Sequence, residues 1–349
     1  MLDEIFFGLL LFVPATVIAH FLNLSPMLVF FIAALAIVPL AKFIGEATDE
    51  LATHTGPALG GFLSATFGNA TELIIGIFAL QAGLIEVVRA SITGSIVGNL
   101  LLVLGMAIFF GGVKYKKMEF NRTAAMASAG TLLLAAIALI IPAIFFQTAP
   151  LVGVGVIRSL SMAVSVLMIA VYVASLFFAL KTHKHLYTED VGKFETKWSV
   201  KKSVLVLLIA TLAVAWMSEI LVGAIEPVAL SLGWTDLFIG VIFIAIIGNA
   251  AEHTSAIIMA LKNKMDLALQ ISIGSATQVA MFVMPVLVLA SLMFENQMSL
   301  VFNTFELIVI VLSVMIANLI VEDGETNWFE GLQLFAAYVI IAVAFYFHP

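Results

Sequence analysis

The sequence predicts an all-α polytopic membrane protein. Three observations carry that reading: the apolar bias, the length of the charge-free stretches and an internal repeat. Of 349 residues, 63% are hydrophobic and 11% charged, and mean hydropathy is +1.18. A water-facing surface normally needs about a quarter of residues charged. No charge interrupts 90–113, 123–157, 159–180 or 267–294, and a helix crosses the hydrocarbon core with roughly 20 apolar residues. There is no cysteine, which excludes disulfides, thiolate metal sites and cysteine nucleophiles. The net charge of −7 lies in short loops, a pattern that offers nucleic acid no basic face.

Apolar length and loop punctuation divide the chain into about eleven spans. They cover 5–22, 26–44, 57–82, 87–111, 123–146, 155–180, 203–224, 236–260, 266–294, 302–321 and 328–347. Residues 1–25 read as an extra leading helix, retained because Asp3 and Glu4 flank it instead of the basic residues of a signal peptide. Residues 26–180 form a first five-helix unit and 203–349 a second. Between them lies the polar linker 181–202, with His183, His185, Glu189, Asp190, Glu195 and six lysines. Lysine and arginine set orientation. Lys42, Lys114, Lys116, Lys117, Arg122, the linker lysines, Lys262 and Lys264 all fall on one side of an eleven-span arrangement. That places the N-terminus and the linker in the cytoplasm.

The repeat appears on an ungapped shift of 180 residues. Glu46 meets Glu226, Gly60 meets Gly240, Gly68-Asn69-Ala70 meets Gly248-Asn249-Ala250, Glu72 meets Glu252, and Gly94-Ser95 meets Gly274-Ser275. Five spans per unit is an odd number, so the second unit is inverted. Inverted repeats are common in secondary transporters, with the substrate held at mid-membrane between them.

Glu72, in GNATELIIGIFAL, and Glu252, in GNAAEHTSAIIMAL, are isolated acids midway along the third and eighth spans. Such acids are expensive in a bilayer and by default functional. Asn69 and Asn249 stand three residues earlier, on the same helix face. Two carboxylates and two amide oxygens make a hard oxygen cage, which suits Ca2+. One Ca2+ or two protons would neutralise the pair, so mutually exclusive occupancy is enough for exchange. Ser95 and Asn99 in the fourth span and Ser275 and Gln278 in the ninth read as residues that surround the glutamates, Asn99 and Gln278 orienting them or relaying protons, and His253 reads as a group that tunes the protonation of Glu252. Glu46, Asp49 and Glu50 at one end, and Glu219 and Glu226 at the other, read as a cation pathway. No resident cofactor is implied; the partners are Ca2+, H+ and the lipid bilayer, and a homo-oligomer is compatible with the sequence.

The paired GNAxE motifs, together with GSIVGNLLLV and GSATQVAMFV, resemble the signature regions of the calcium/proton exchanger family, within the cation/calcium exchanger superfamily. The likeness covers nearly the whole chain. It implies an alternating-access antiporter that exports cytosolic Ca2+ for H+, with Glu72 and Glu252 as essential carboxylates and Asn69 and Asn249 as neighbouring ligands. It also implies that the first span of each unit slides as the gate. Short loops point to a prokaryotic plasma-membrane protein. Sodium/calcium exchangers carry a proline beside the first glutamate, where this chain has Ala70-Thr71; Na+/Ca2+ exchange is therefore the alternative of the same class. An intramembrane enzyme would need a nucleophile–base set or an HExxH helix, and the six histidines are scattered.

Overall fold

The computed structural model describes residues 2–55, 57–149, 151–183 and 196–348. Most of the linker (184–195, with His185, Glu189, Asp190 and Glu195) lies outside the described residues. Helices α1 (Leu2–Leu9) and α2 (Phe12–Phe21) form a bent leading element. The 30-residue α3 (Pro26–Thr55) runs past the expected end at 44, because no glycine-cap or proline stops it before Pro57. Next come α4 (Pro57–Phe67) and α5 (Ala70–Gln81). Helix α6 (Ile85–Val97) passes through a π-helical turn, Gly98–Val103, into α7 (Leu104–Tyr115). The first unit closes with α8 (Arg122–Thr148) and α9 (Val154–Phe177).

The second unit begins with α10 (Val200–Gly223) and α11 (Ile225–Leu232). The short α12 (Asp236–Phe238), a π segment at Ile239–Ile244 and α13 (Ala245–Gly248) lead to α14 (Ala250–Leu261). Helix α15 (Met265–Gln278) continues through π-helical Val279–Val283 into α16 (Met284–Ala290). Helices α17 (Thr304–Ile320) and α18 (Trp328–Phe347) complete the chain. Among the described residues, eight helices are long and apolar enough to cross a membrane, one further pair qualifies but is bent by 60° at residue 249, and Ala70–Gln81 and Thr304–Ile320 are shorter apolar helices. Large apolar side chains face outward along them, among them Leu208, Leu212, Ile308, Leu319 and Ile340. Such an exterior suits lipid, and the protein is an integral membrane protein.

Two long helices, α3 and α10, pack antiparallel. At one end Glu50 accepts backbone N–H bonds from Lys197 (3.0 Å) and Trp198 (3.2 Å), and the His54 ring bonds the Trp198 carbonyl at 2.8 Å. The same end holds a small antiparallel ladder, β1 (Lys117–Glu119) on β2 (Glu325–Asn327). Lys117 pairs with Glu325 and Glu119 there, and their hydrogen bonds raise its pKa above the ordinary lysine value. Lys114 and Tyr115 donate to the Leu261 carbonyl at 2.8 and 2.9 Å. The lysine-bearing loops after α7 and α14 therefore share one end of the molecule, as the charge pattern requires.

Span packing relies on glycine where backbones touch. A Cβ on Gly331 of α18 would lie 2.3 Å from Phe109 N and 2.7 Å from Gly105 O of α7, and one on Gly105 would lie 2.8 Å from Phe335 N. Small residues let membrane helices approach this closely. Gly331→Leu is expected to lower the thermal stability of the detergent-purified protein by about 1–3 kcal/mol through overpacking. Gly130→Leu, at a position with nothing within 4 Å, is expected to leave the melting temperature unchanged. Thermal denaturation followed by size-exclusion chromatography compares the two.

Candidate functional site

The apolar runs around Glu72 and Glu252 read as continuous spans, yet both helices break beside the acids. α4 ends at Phe67 and α5 restarts at Ala70; α13 ends at Gly248 and α14 restarts at Ala250. Asn69 has φ −99° and ψ 19°, and Asn249 has φ −97° and ψ 13°. The two irregular residues share one geometry in the two units. Glycine before each asparagine removes the Cβ that would resist the break. Each glutamate then falls in the first turn of a fresh helix, where the unpaired N–H groups supply partial positive charge.

The breaks bring the acids together. The Glu72 side chain lies over Gly248, with Cγ 3.1 Å and Oε1 3.7 Å from where a Cβ would stand. The carboxylates of Glu72 and Glu252 are near enough for their charges to interact. Asp49, at the end of α3, also interacts electrostatically with Glu252. Glu72 is left with both carboxylate oxygens buried and without a hydrogen-bond partner, and Glu252 with its Oε2 so. Asn99 Oδ1 is in the same condition. These are acceptor atoms only, and a buried acceptor without a partner costs about 1–3 kcal/mol. A cation or added protons would satisfy them.

Amide and hydroxyl groups frame the acids. Asn69 donates to Gln278 Oε1 at 2.6 Å. Asn99 donates to Asn249 Oδ1 at 2.8 Å and to Ser275 Oγ at 2.9 Å. Asn249 donates to Ser95 Oγ at 2.9 Å and to the Ala245 carbonyl at 2.8 Å. The break asparagine of each unit is thus held by a side chain from the other membrane-crossing pair, α6–α7 or α15–α16. Asn99 lies inside a π turn and Gln278 immediately before one. Their offsets from Ser95 and Ser275 differ by one residue, and both still reach the break asparagines. π-Bulges recur at functional sites. Asn249 keeps its amide oxygen on Asn99 and Ser275 in this state.

The remaining sequence candidates divide. Glu46 pairs with Lys42 at 3.3 Å, and Glu50 holds the backbone N–H groups of Lys197 and Trp198 just before α10. Both hold helices as well as adding charge near Asp49. At the opposite end Glu226 interacts with Asp236, as does Glu86. Glu219 lines a cavity of ≈ 350 Å³ with His20, Asn23 and Trp216, between the leading helices and α10. His253 follows Glu252 on α14 and is half-buried. Among the described residues no group of three or more His, Cys, Asp or Glu could hold a metal ion. Glu306, an acid with no evident place in the sequence reading, forms a capping box with Asn303 and accepts the Thr93 hydroxyl at 3.0 Å. The Asn303-x-x-Glu306 spacing is the signal that could have identified it.

Known proteins match this chain along its length. The model of the sodium/calcium exchanger protein family matches residues 25–181 and 202–347. The Ca(2+)/H(+) antiporter of Aphanothece halophytica is 46% identical, over 99% of this chain and 97% of that protein. The Ca(2+)/H(+) antiporter ChaA of Bacillus subtilis (strain 168) is 47% identical, over 96% of each. The solved Ca2+/H+ antiporter protein YfkE superposes with a TM-score of 0.87 at 45% identity, over 99% of this chain and 100% of that one.

Proposed function

The chain belongs to the sodium/calcium exchanger protein family, and we infer that within it the protein is a Ca2+/H+ antiporter, a secondary transporter and not an enzyme. Our reading of the mechanism is that Glu72 and Glu252 bind Ca2+ and protons in turn. The observation that carries it is the set of buried, unpartnered acceptor oxygens on Glu72, Glu252 and Asn99. Ionised together and empty, the two acids would repel in a low dielectric. One Ca2+ or two protons removes that charge. Crossing between open states is cheap only when the site is loaded, and this couples the two fluxes.

Ca2+ takes about six to eight oxygens. The carboxylates supply up to four, Asn99 Oδ1 another, and water the remainder. For Asn249 to ligate the ion it must exchange Asn99 for metal; Asn69 would do so while anchored by Gln278. Ser95, Ser275, Asn99 and Gln278 fix the amides, and His253 flanks Glu252. Asp49, Glu46 and Glu50 draw cations toward the site at the lysine-bearing end, and Glu226 and Glu219 do so at the other.

The same reading takes the chain as about eleven spans: a leading element 1–25, inverted five-span units at 26–180 and 203–349, and the linker 181–202 between them. The matched segments 25–181 and 202–347 and the identical breaks at Asn69 and Asn249 support it. The N-terminus and linker then face the cytoplasm and the protein exports Ca2+ across a prokaryotic plasma membrane, a placement supported by the bacterial relatives.

In liposomes, an imposed pH gradient is expected to drive Ca2+ uptake without sodium. Glu72→Gln and Glu252→Gln are each expected to reduce it to background; exchange persisting in either variant, or an absolute need for Na+, overturns the scheme. Protons and Ca2+ share the carboxylates, so apparent Ca2+ affinity should fall as pH is lowered. Titration calorimetry at stepped pH measures this, and a flat profile would contradict shared occupancy.

A further inference from the structure

The outer face of α10 changes character along its length. Leu205, Leu208 and Leu212 are exposed, Trp216 follows at 45% exposed, and exposed Glu219 and Gly223 stand one and two turns further on. Spacings of three and four residues keep all six on one helix face. The helix starts at the lysine-bearing end, where Lys197 and Trp198 meet Glu50. About 30 Å of helix separates that start from Glu219, which is the thickness of the hydrocarbon core. The stripe therefore turns from apolar to aromatic to acidic as it nears the opposite membrane surface. Trp is at home at such a boundary. A phospholipid in that leaflet has the same order, tail before headgroup.

The cavity of ≈ 350 Å³ opens at the polar end of this stripe. The leading helices pack chiefly on α3, and the cavity is the gap left between them and α10. Leu24, Val29, Ile220 and Pro227 give it carbon walls, and Trp216 gives it a ring. Among its lining residues Glu219 is the one acid, and no lysine or arginine faces it. The leading element adds His20 and Asn23. Asn23 is held at the rim by a left-handed turn (φ 51°), its N–H bonded to the His20 carbonyl at 3.1 Å. Ligand pockets hold about 300–1,000 Å³ and are mostly apolar with a few convergent polar groups. Ca2+ suits this lining poorly: it takes about six to eight oxygens, and the side chains here offer Glu219 and Asn23 amid carbon. An organic ammonium suits it well. The acid answers its charge, the indole face attracts it, and the carbon walls receive the chain it is attached to.

We propose that this cavity binds an amine-bearing phospholipid, its ammonium group on Glu219 and Trp216 and an acyl chain along Leu212 and Leu208. His20 and Asn23 carry N–H groups that can donate to its phosphate. The lipid fills the gap between the leading element and the first helix of the second unit, so the bilayer itself supplies the packing that the protein lacks there. In the antiport reading Glu219 draws Ca2+ toward this end; the site gives the same acid a second, organic cation. It stands whether or not the central acids exchange Ca2+ for protons.

The test uses the full chain in nanodiscs of equal phosphatidylethanolamine and phosphatidylglycerol, released for native mass spectrometry. The parental protein is expected to retain the ethanolamine lipid over the glycerol lipid by about fivefold. Glu219→Gln is expected to retain the two equally. Gly223 lines the cavity, and a Cβ there meets nothing within 4 Å. Gly223→Leu is therefore expected to stay monodisperse and to bind Ca2+ with the parental affinity while losing the lipid preference. Equal retention by the parental protein overturns the proposal, and so does a preference that survives either substitution. A readout in the intact bilayer needs no variant of the cavity floor. Phosphatidylethanolamine with brominated acyl chains quenches a nearby indole, and the part of the quenching lost in Trp216→Phe belongs to this site. That part is expected to fall about fivefold when phosphatidylglycerol carries the bromine instead. Equal quenching by the two lipids means contact with bulk lipid only and overturns the site. Glu72→Gln is expected to abolish Ca2+ uptake and keep the lipid preference, so the two readings fail separately.

Discussion

Everything in this molecule is arranged around acids that cannot be left alone. A carboxylate inside a bilayer costs several kcal/mol unless something compensates it, and Glu72 and Glu252 lie near enough to interact, with buried oxygens lacking partners. The fold answers with helix ends instead of fixed cations. Breaks at Asn69 and Asn249 start new helices beneath each acid, and those helix starts supply partial positive charge. The residual demand is for a mobile positive charge.

The neutral groups around the acids have a separate role. Asn69–Gln278 and Ser95–Asn249–Asn99–Ser275 are short, buried hydrogen bonds that link the broken helices to α6–α7 and α15–α16. They fix the amides without neutralising the acids. Three of these bonds tie a break asparagine to a helix distant in sequence, so the broken helices are fixed against α6–α7 and α15–α16.

Much of this was legible in the sequence, for physical reasons. Lipid demands long apolar helices, so the helical membrane character could be read directly, and eight helices among the described residues meet that length and composition. The 180-residue register exposed the two glutamates because buried charge is rare enough to stand out. The breaks within 57–82 and 236–260 were only half legible: Gly68 and Gly248 allow unwound backbone, but the same glycines fit a continuous, closely packed helix equally well. The π turns were invisible, because one extra residue per turn leaves no compositional trace. Glu46 and Glu50 were read only as pathway acids; Lys42 is four residues from Glu46 on one helix and could have been paired from spacing, whereas the Glu50 contact joins residues 147 apart. Glu306 is explained by Asn303, which caps the same helix.

The clasp of Glu50 on Lys197 and Trp198, seconded by His54, joins the end of one unit's first long helix to the start of the other's. The covalent joint between the units therefore has a non-covalent duplicate beside it. A protease nick in the connecting strand would leave the halves still held together, and two half-length polypeptides of this kind have a ready handle for reassembly.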